Sequence, residues 1–209
     1  MLVNKKGFNI DNDQFLRHLF FEKRIIFLEG FISDAYVGDP TMPMGWANTP
    51  RGVIDQIIYL SSKSPEPIKL FIDSPGGFLT TAFSLLDFMT TVSCPIHTIG
   101  TGIIASAAVP VLAAGKSGKR FIFPHTRTMI HLPEGGTHGD AKDRKIAQQQ
   151  IEEITNEYIS TISHYTGKAK KEIESIIDRA YWMNAEETKA FGLVDHIVTN
   201  FSDIGINLN

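Results

Sequence analysis

Three short segments of the sequence carry residue types that could support nucleophilic chemistry. Ser106 is the only polar side chain in a run of fourteen residues from Gly102 to Gly115, and His131 lies near the end of another apolar segment. The adjacent glycines Gly76 and Gly77 follow a third, where unmasked backbone N–H groups could meet an anion. A serine nucleophile needs a base to accept its proton, and the resulting oxyanion needs two N–H donors. Taken together, the segments favour a serine hydrolase over a binding module.

Each segment alone also fits a structural role. Ser106 stands at a predicted strand-to-helix junction, where a serine could act as an N-cap. The G-x-S-x-G signature of a nucleophile elbow is absent, because Ile104 and Ala108 occupy its glycine positions. Adjacent glycines also suit an ordinary tight turn, and a single histidine at a strand end is more often structural than catalytic. A serine hydrolase is therefore expected only if the fold brings the three segments together.

Apolar periodicity predicts the elements that would position these residues. Strands are expected over residues 23–30, 68–73, 95–100, 119–123 and 128–132, and helices over 53–60, 78–92 and 140–165. Alternating strands and helices predict an α/β fold, with a mostly parallel sheet flanked by helices. Gly77, Ser106 and His131 all follow predicted strands. We therefore expect them at one edge of the sheet, where strand ends meet.

Composition excludes several classes of protein. A chain of 209 residues with 43% apolar and 21% charged residues predicts one globular domain over residues 1–209. The net charge of −3 gives no support for nucleic acid or a membrane surface as a partner. No zinc or nucleotide motif occurs, so neither a metal nor a cofactor is expected. The single Cys94 and the lack of a recognisable signal peptide predict a cytoplasmic protein.

Two segments differ from the rest of the chain. Residues 36–51 contain three prolines and two glycines, which predicts a long surface loop that is either functional or a tolerated insertion. The predicted helix over 140–165 carries an apolar stripe that includes Ile146, Ile151, Ile154 and Tyr158. The stripe alone leaves two interpretations open, a further covering helix or a protruding arm that packs on another subunit.

The candidate segments resemble, in order, the active-site blocks of the proteolytic subunits of the Clp protease (ClpP), which are serine peptidases of the crotonase-like fold. The matching blocks are Ser74-Pro75-Gly76-Gly77, Gly102-Ile103-Ile104-Ala105-Ser106-Ala107, and Arg127-Thr128-Met129-Ile130-His131-Leu132-Pro133 followed by Gly135-Gly136. The segments Tyr181-Trp182-Met183-Asn184-Ala185 and Phe191-Gly192-Leu193-Val194-Asp195 resemble the family's C-terminal signature. The resemblance extends from about residue 23 to 198, with one insertion near 37–51.

The resemblance implies roles for particular residues. Ser106 would be the nucleophile and His131 the general base. The backbone N–H groups of Gly77 and Ala107 would form the oxyanion hole.

The resemblance also implies substrate contacts and partners. The segments that contain Leu79, Glu134 and Gly136 would flank an extended substrate peptide as added strands. Residues 134–165 would form a handle through which two seven-membered rings stack into a closed chamber. A ring-shaped ATP-dependent unfoldase would supply unfolded polypeptide, and no nucleotide site is expected in this chain.

One departure from the family concerns the third member of the catalytic triad. The family has an aspartate where this sequence has Ala180, within Asp178-Arg179-Ala180-Tyr181. Loss of that carboxylate typically lowers turnover on the order of 10⁴-fold, so reduced activity is expected. An introduced substitution, a weak natural paralogue, and replacement by another residue such as Asp178 remain open explanations.

Two other functions remain open. The chain could be a non-catalytic structural subunit of a mixed Clp ring, although such a subunit would not need Ser106 and His131. A crotonase-like acyl-CoA enzyme would share the fold and the oxyanion hole, but it uses no serine–histidine pair.

Overall fold

The computed structural model describes residues 2–3, 9–10, 12–33, 49–136 and 139–206. The strands are β1 (Leu2–Val3), β2 (Asn9–Ile10), β3 (Ile25–Glu29), β4 (Ile68–Ser74), β5 (Ile96–Ala105), β6 (Arg120–Ile122), β7 (Arg127–Ile130), β8 (Tyr181–Met183) and β9 (His196–Ile197). The helices are α1 (Asn12–Glu22), α2 (Pro50–Lys63), α3 (Leu79–Thr91), α4 (Ala108–Ala113), α5 (Ala141–Thr166), α6 (Lys170–Ile177) and α7 (Ala185–Phe191), followed by a 3₁₀ turn (Phe201–Ile204).

A seven-stranded sheet organises the molecule. Its order is β3-β4-β5-β6-β9, with β7 beside β5 and β8 beside β7. Within the described part of the chain, all neighbouring strands of this sheet run parallel except β7 and β8, which are antiparallel to each other. The predicted α/β fold with a mostly parallel sheet is therefore confirmed.

The main hydrophobic core lies between one face of the sheet and the helices. Along β4, Ile68, Leu70 and Ile72 point into this core, while the residues between them are half-buried on the other face. That other face carries a smaller cluster that includes Ile99 and Phe121. The alternation reflects the two-residue period of a strand.

Strand β5 bends at Gly102 and so pairs with two different strands. Its first half, Thr98 to Gly100, pairs with β6, and its second half, Ile103 to Ala105, pairs with β7. Gly102 has a φ of +53°, and a Cβ there would collide with the Asp73 carboxylate, which accepts a 3.0 Å hydrogen bond from the Ile103 N–H. The bend carries the end of β5, and Ser106 after it, towards β7.

Helix α5 projects from the body over its first half. Asp140 caps its N-terminus, and Gly167 ends it in a left-handed conformation. Its buried residues all lie in the second half, whereas Ile146 is 59% exposed. The arrangement fits the interpretation of the helix as a protruding arm.

The C-terminal end of α5 is held by a buried ion pair. The Arg120 guanidinium lies 2.6 Å from Asp195 and donates to the carbonyls of Tyr165 and Gly192. Burial opposes ionisation of Asp195, but its hydrogen bonds and attraction to Arg120 hold the pKa of that carboxyl below its usual value.

Several predicted boundaries differ from the structure. The strand expected over 95–100 continues to Ala105, because the bend at Gly102 lets pairing resume with β7. Helix α2 begins at Pro50 with Thr49 as its cap, so residues 50–51 of the predicted loop are helical, while 36–48 lie outside the described residues. The sequence did not predict β1, β2, α1, α6, α7, β8 or β9, and the longest of these, α1, has 11 residues.

Candidate active site

Ser106 occupies a sharp turn between β5 and α4. Its φ of +54° is in the left-handed region, which is uncommon for residues other than glycine. The Ser106 N–H donates to the Met129 carbonyl at 2.8 Å, and the Val109 N–H donates to the Ser106 carbonyl at 3.0 Å. Both sides of the turn are therefore fixed by backbone hydrogen bonds. Ser106 is not the N-cap of α4, a position that Ala107 occupies without a side-chain hydrogen bond.

His131 meets the serine at this turn. It directly follows β7, which pairs in parallel with the second half of β5, so the residues after both strands lie side by side. Its Nε2 atom is 2.9 Å from Ser106 Oγ. This distance allows Nε2 to accept the serine proton, which is the geometry required of a general base.

The glycine loop after β4 packs directly against the serine turn. A Cβ at Gly76, where φ is +94°, would lie 2.5 Å from the Ala105 carbonyl oxygen and 2.9 Å from the Ala107 nitrogen. A Cβ at Gly77 would collide with the Ile32 carbonyl. Glycine is therefore required at both positions by close approach of the backbone. This close packing accounts for a tight turn, and a functional role of the loop stays a prediction.

Two backbone N–H groups near Ser106 are left for a ligand. Within the described ranges, no hydrogen-bond acceptor is found for the N–H of Gly77 or of Ala107. Unpaired N–H groups beside a nucleophile suit an oxyanion. The assignment of these two groups as an oxyanion hole agrees with this and stays a prediction.

A cavity of about 190 Å³ opens beside the serine–histidine pair. Its lining consists of Gly77, Phe78, Leu79, Thr80, Ser106, His131, Pro133, Glu134, Ile151, Ile154 and Tyr158. The walls from α5 are apolar. Two residues predicted to contact substrate, Leu79 and Glu134, line the cavity, whereas Gly136 does not. Leu79 is the first residue of α3, so the extended backbone on that side ends at Phe78.

Tyr158 was not assigned to the site from sequence. The residue is buried, and its hydroxyl lies 3.5 Å from the Ser106 carbonyl oxygen. Burial raises the pKa of the phenol well above its usual value, so the hydroxyl stays protonated and can donate. The apolar stripe of α5 indicated that Tyr158 is buried, but it did not indicate that the hydroxyl lies near Ser106.

Ala180 has no polar side-chain group to offer His131. It immediately precedes β8. Because Tyr181 of β8 pairs with Ile130 of β7, the antiparallel register extended by one residue would place Ala180 opposite His131. Asp178 is 3.7 Å from the exposed guanidinium of Arg179 and is not within 4.0 Å of His131. The hypothesis that Asp178 replaces the aspartate is therefore not supported.

A larger cavity of about 550 Å³ lies at the opposite ends of the strands, lined in part by Lys69, His97 and Lys119. Burial and then the two lysine charges lower the pKa of His97 to about 4, so its imidazole is neutral near pH 7. Within the described ranges, no hydrogen bond joins a histidine to a serine there, unlike at Ser106. The same part of the chain contains no group of acidic, histidine or cysteine side chains suited to a metal ion, and no helix long and apolar enough to cross a membrane.

Fold and site together define a class, the α/β proteins that carry a serine–histidine pair against a glycine loop at the edge of a parallel sheet. The family model for Clp protease matches residues 12–201. The chain belongs to the Clp protease family, as its active-site blocks predicted. It is also 40% identical over 144 residues to a protein of Porphyromonas gingivalis (strain ATCC BAA-308 / W83) named ATP-dependent Clp protease proteolytic subunit. The match covers 68% of this chain and 65% of that relative, so the chain spans slightly less than two thirds of the relative's length.

Proposed function

We propose that this chain is a subunit of a Clp-type serine peptidase that hydrolyses peptide bonds in unfolded polypeptides. The observation that carries the proposal is the 2.9 Å separation of His131 Nε2 and Ser106 Oγ. Membership of the Clp protease family and the name of the relative support a peptidase over other hydrolases that use the same pair.

The proposed reaction has two halves. Ser106 Oγ attacks the substrate carbonyl carbon while its proton passes to His131 Nε2. The tetrahedral intermediate collapses when the imidazolium returns that proton to the leaving amine, which leaves an acyl ester on Ser106. Water then attacks the ester, again giving its proton to Nε2, and the acid product leaves as Oγ is reprotonated.

The Gly77 and Ala107 N–H groups stabilise the oxyanion in both halves of the reaction. Their backbone is held by the close packing of Gly76 on the serine turn, so they need not move when charge develops. Preorganised donors of this kind typically contribute about 10²- to 10³-fold each to turnover.

The cavity beside Ser106 receives a substrate side chain. Its α5 walls, Ile151 and Ile154, favour an apolar side chain, and about 190 Å³ admits one of medium size. The backbone of the substrate runs as an added strand between the loop at Gly77 and the segment at Glu134 and Gly136.

The chain works inside a larger assembly in the cytoplasm. Two stacked heptameric rings enclose the active sites, and a ring-shaped ATP-dependent unfoldase delivers unfolded polypeptide. The exposed first half of α5, with Ile146 on its surface, supports a contact with another copy of the chain.

Turnover is lower than in a complete triad, because Ala180 supplies no carboxylate to His131. A buried aspartate orients the imidazole and stabilises the imidazolium, and its loss typically costs about 10⁴-fold. Ser106 and His131 still lie at hydrogen-bond distance without the aspartate, so weak cleavage is expected rather than none.

The test is hydrolysis of short fluorogenic peptides, together with labelling by a serine-reactive phosphonate. Cleavage and labelling of Ser106 that both disappear in Ser106→Ala are the expected result. Undiminished cleavage in that variant would show that the nucleophile is misassigned.

A second candidate is a non-catalytic subunit of a mixed Clp ring, which the missing carboxylate favours. Such a chain would assemble with an active subunit, and its Ser106 would resist the phosphonate. Thioester turnover without peptide cleavage would instead indicate an acyl-CoA enzyme.

A further inference from the structure

His131 has one ring nitrogen engaged and one open. For Nε2 to accept the proton of Ser106, the proton of the neutral imidazole must reside on Nδ1. The residues that the structure describes offer no hydrogen-bond acceptor to Nδ1. During the reaction both nitrogens carry protons, so the ring gains a positive charge that Ala180 cannot offset.

The carboxylate nearest to the open nitrogen belongs to Glu134. Its Oε1 atom is 3.9 Å from His131 Nδ1, and over the described part of the chain no other carboxylate lies within 4.0 Å of this histidine. The separation is an ion-pair distance, about 1 Å longer than a hydrogen bond. The Glu134 side chain is 90% exposed, so a rotation about its own bonds can close that gap.

The backbone that carries Glu134 is anchored on both sides. Before it, the Leu132 N–H donates to the Ile177 carbonyl at 2.9 Å. After it, Gly135 packs so closely on Ile151 that a Cβ would lie 2.9 Å from Cδ1 of that side chain. The carboxylate is therefore presented to His131 from a fixed segment.

No competing cation holds Glu134 elsewhere. Among the described residues, His131 is the only basic side chain within 4.0 Å of this carboxylate. The Arg179 guanidinium lies 3.7 Å from the Asp178 carboxylate.

We propose that Glu134 is a positioning residue, which orients the His131 imidazole and offsets its charge in place of the missing aspartate. This inference rests on the proposed function, because it assigns Glu134 a part in the same proton transfer. Water screens an exposed carboxylate, so we expect it to recover only about 5-fold in turnover, far less than a buried aspartate provides.

The experiment uses four proteins: the unsubstituted chain, Glu134→Gln, Ala180→Asp and the double variant. The readouts are kcat and KM for a short fluorogenic peptide and the rate at which a phosphonate labels Ser106. Glu134→Gln is expected to lower kcat and the labelling rate about 5-fold with KM unchanged. With Asp at position 180, the same substitution is expected to change both by less than about 2-fold, because the aspartate then fills the role.

Glu66→Gln is the matched control. It removes one exposed carboxylate near the start of β4, at the other end of the strands from Ser106, and is expected to change neither readout.

Three outcomes would overturn the inference. An equal loss in both backgrounds would mean that Glu134 acts independently of position 180, and a change in KM alone would make it a substrate contact. A labelled Ser106 whose rate ignores Glu134 would remove the positioning role but leave the proposed peptidase intact. No cleavage and no labelling in any of the four proteins would reject the peptidase and the inference together.

Discussion

The two members of the serine–histidine pair are held in different ways. On the serine side, Ser106 is half-buried between buried Ala105 and Ala107, and buried Gly76 packs against this turn without room for a side chain. On the histidine side, the chain after His131 has no regular secondary structure, and Glu134 and Ala180 are exposed. The surroundings of the serine are closely packed backbone, whereas the residues beside the open nitrogen of the histidine are exposed.

The difference explains how the sequence can lose a carboxylate without losing the pair. The position of His131 is set by the pairing of β7 with β5 and not by its third partner, so Nε2 stays at 2.9 Å from Ser106 with alanine at position 180. Beside Ser106 no such substitution is tolerated, because a methyl group added at Gly76 would collide with the backbone of Ala105 and Ala107. The geometry of the serine–histidine pair thus tolerates substitution on the exposed side and does not tolerate it on the side of the glycine loop.

Restoring the carboxylate gives the largest expected effect and acts on the exposed half. Ala180→Asp is expected to raise kcat for a fluorogenic peptide by about 10²- to 10⁴-fold. The reason is that the register of β7 and β8, extended by one residue, would place the new carboxylate opposite His131. Thermal unfolding should change little, since position 180 is exposed. An unchanged kcat in a folded variant would show that the third position lies elsewhere.

Adding a methyl group to the glycine loop should damage the buried half next. Gly76→Ala is expected to lower the free energy of unfolding by about 3 kcal/mol and to abolish cleavage, because its Cβ would meet Ala105 and Ala107. The matched control on the exposed half is Gly136→Ala, where nothing lies within 4 Å. Calorimetry checks both variants and peptide turnover checks Gly76→Ala, and an equal loss of stability in the two variants would contradict the comparison.

Enlarging the cavity should alter specificity more than stability. Ile154→Ala removes part of the α5 wall, and is expected to shift kcat/KM from medium towards large apolar side chains by about 10-fold. Ile146→Ala on the same helix is the control, because its side chain is 59% exposed and does not line the cavity. The measurement is a panel of peptides that differ only before the scissile bond; a preference unchanged by Ile154→Ala would place that side chain outside this cavity.

Removing the Tyr158 hydroxyl should have the smallest effect. Its 3.5 Å approach to the Ser106 carbonyl is long for a hydrogen bond, and that carbonyl already accepts from the Val109 N–H. Tyr158→Phe is therefore expected to cost about 0.5 to 1 kcal/mol of stability and to lower kcat no more than about 3-fold. Chemical denaturation and turnover test this, and a loss as great as that of Gly76→Ala would make the hydroxyl essential to the serine turn.

Much of the fold could be predicted from the sequence because parallel strands and amphipathic helices have clear periods. Because Gly77, Ser106 and His131 all follow predicted strands, the sequence also indicated that they would lie close together. The bend at Gly102 could not be predicted, because it depends on a hydrogen bond to Asp73 from thirty residues earlier in the chain. The contacts of Tyr158 and Glu134 could not be predicted either, because they depend on how α5 and the segment after β7 pack in the folded chain.

The left-handed backbone at Ser106 has a consequence for how this sequence balances durability against reactivity. A serine in that conformation carries roughly 1 kcal/mol of strain, whereas asparagine enters the same region more readily. A chain selected for durability alone would therefore favour another residue at the tip of this turn. Serine there makes the fold slightly less stable than a residue that adopts this conformation more readily, and it places a hydroxyl 2.9 Å from His131 Nε2.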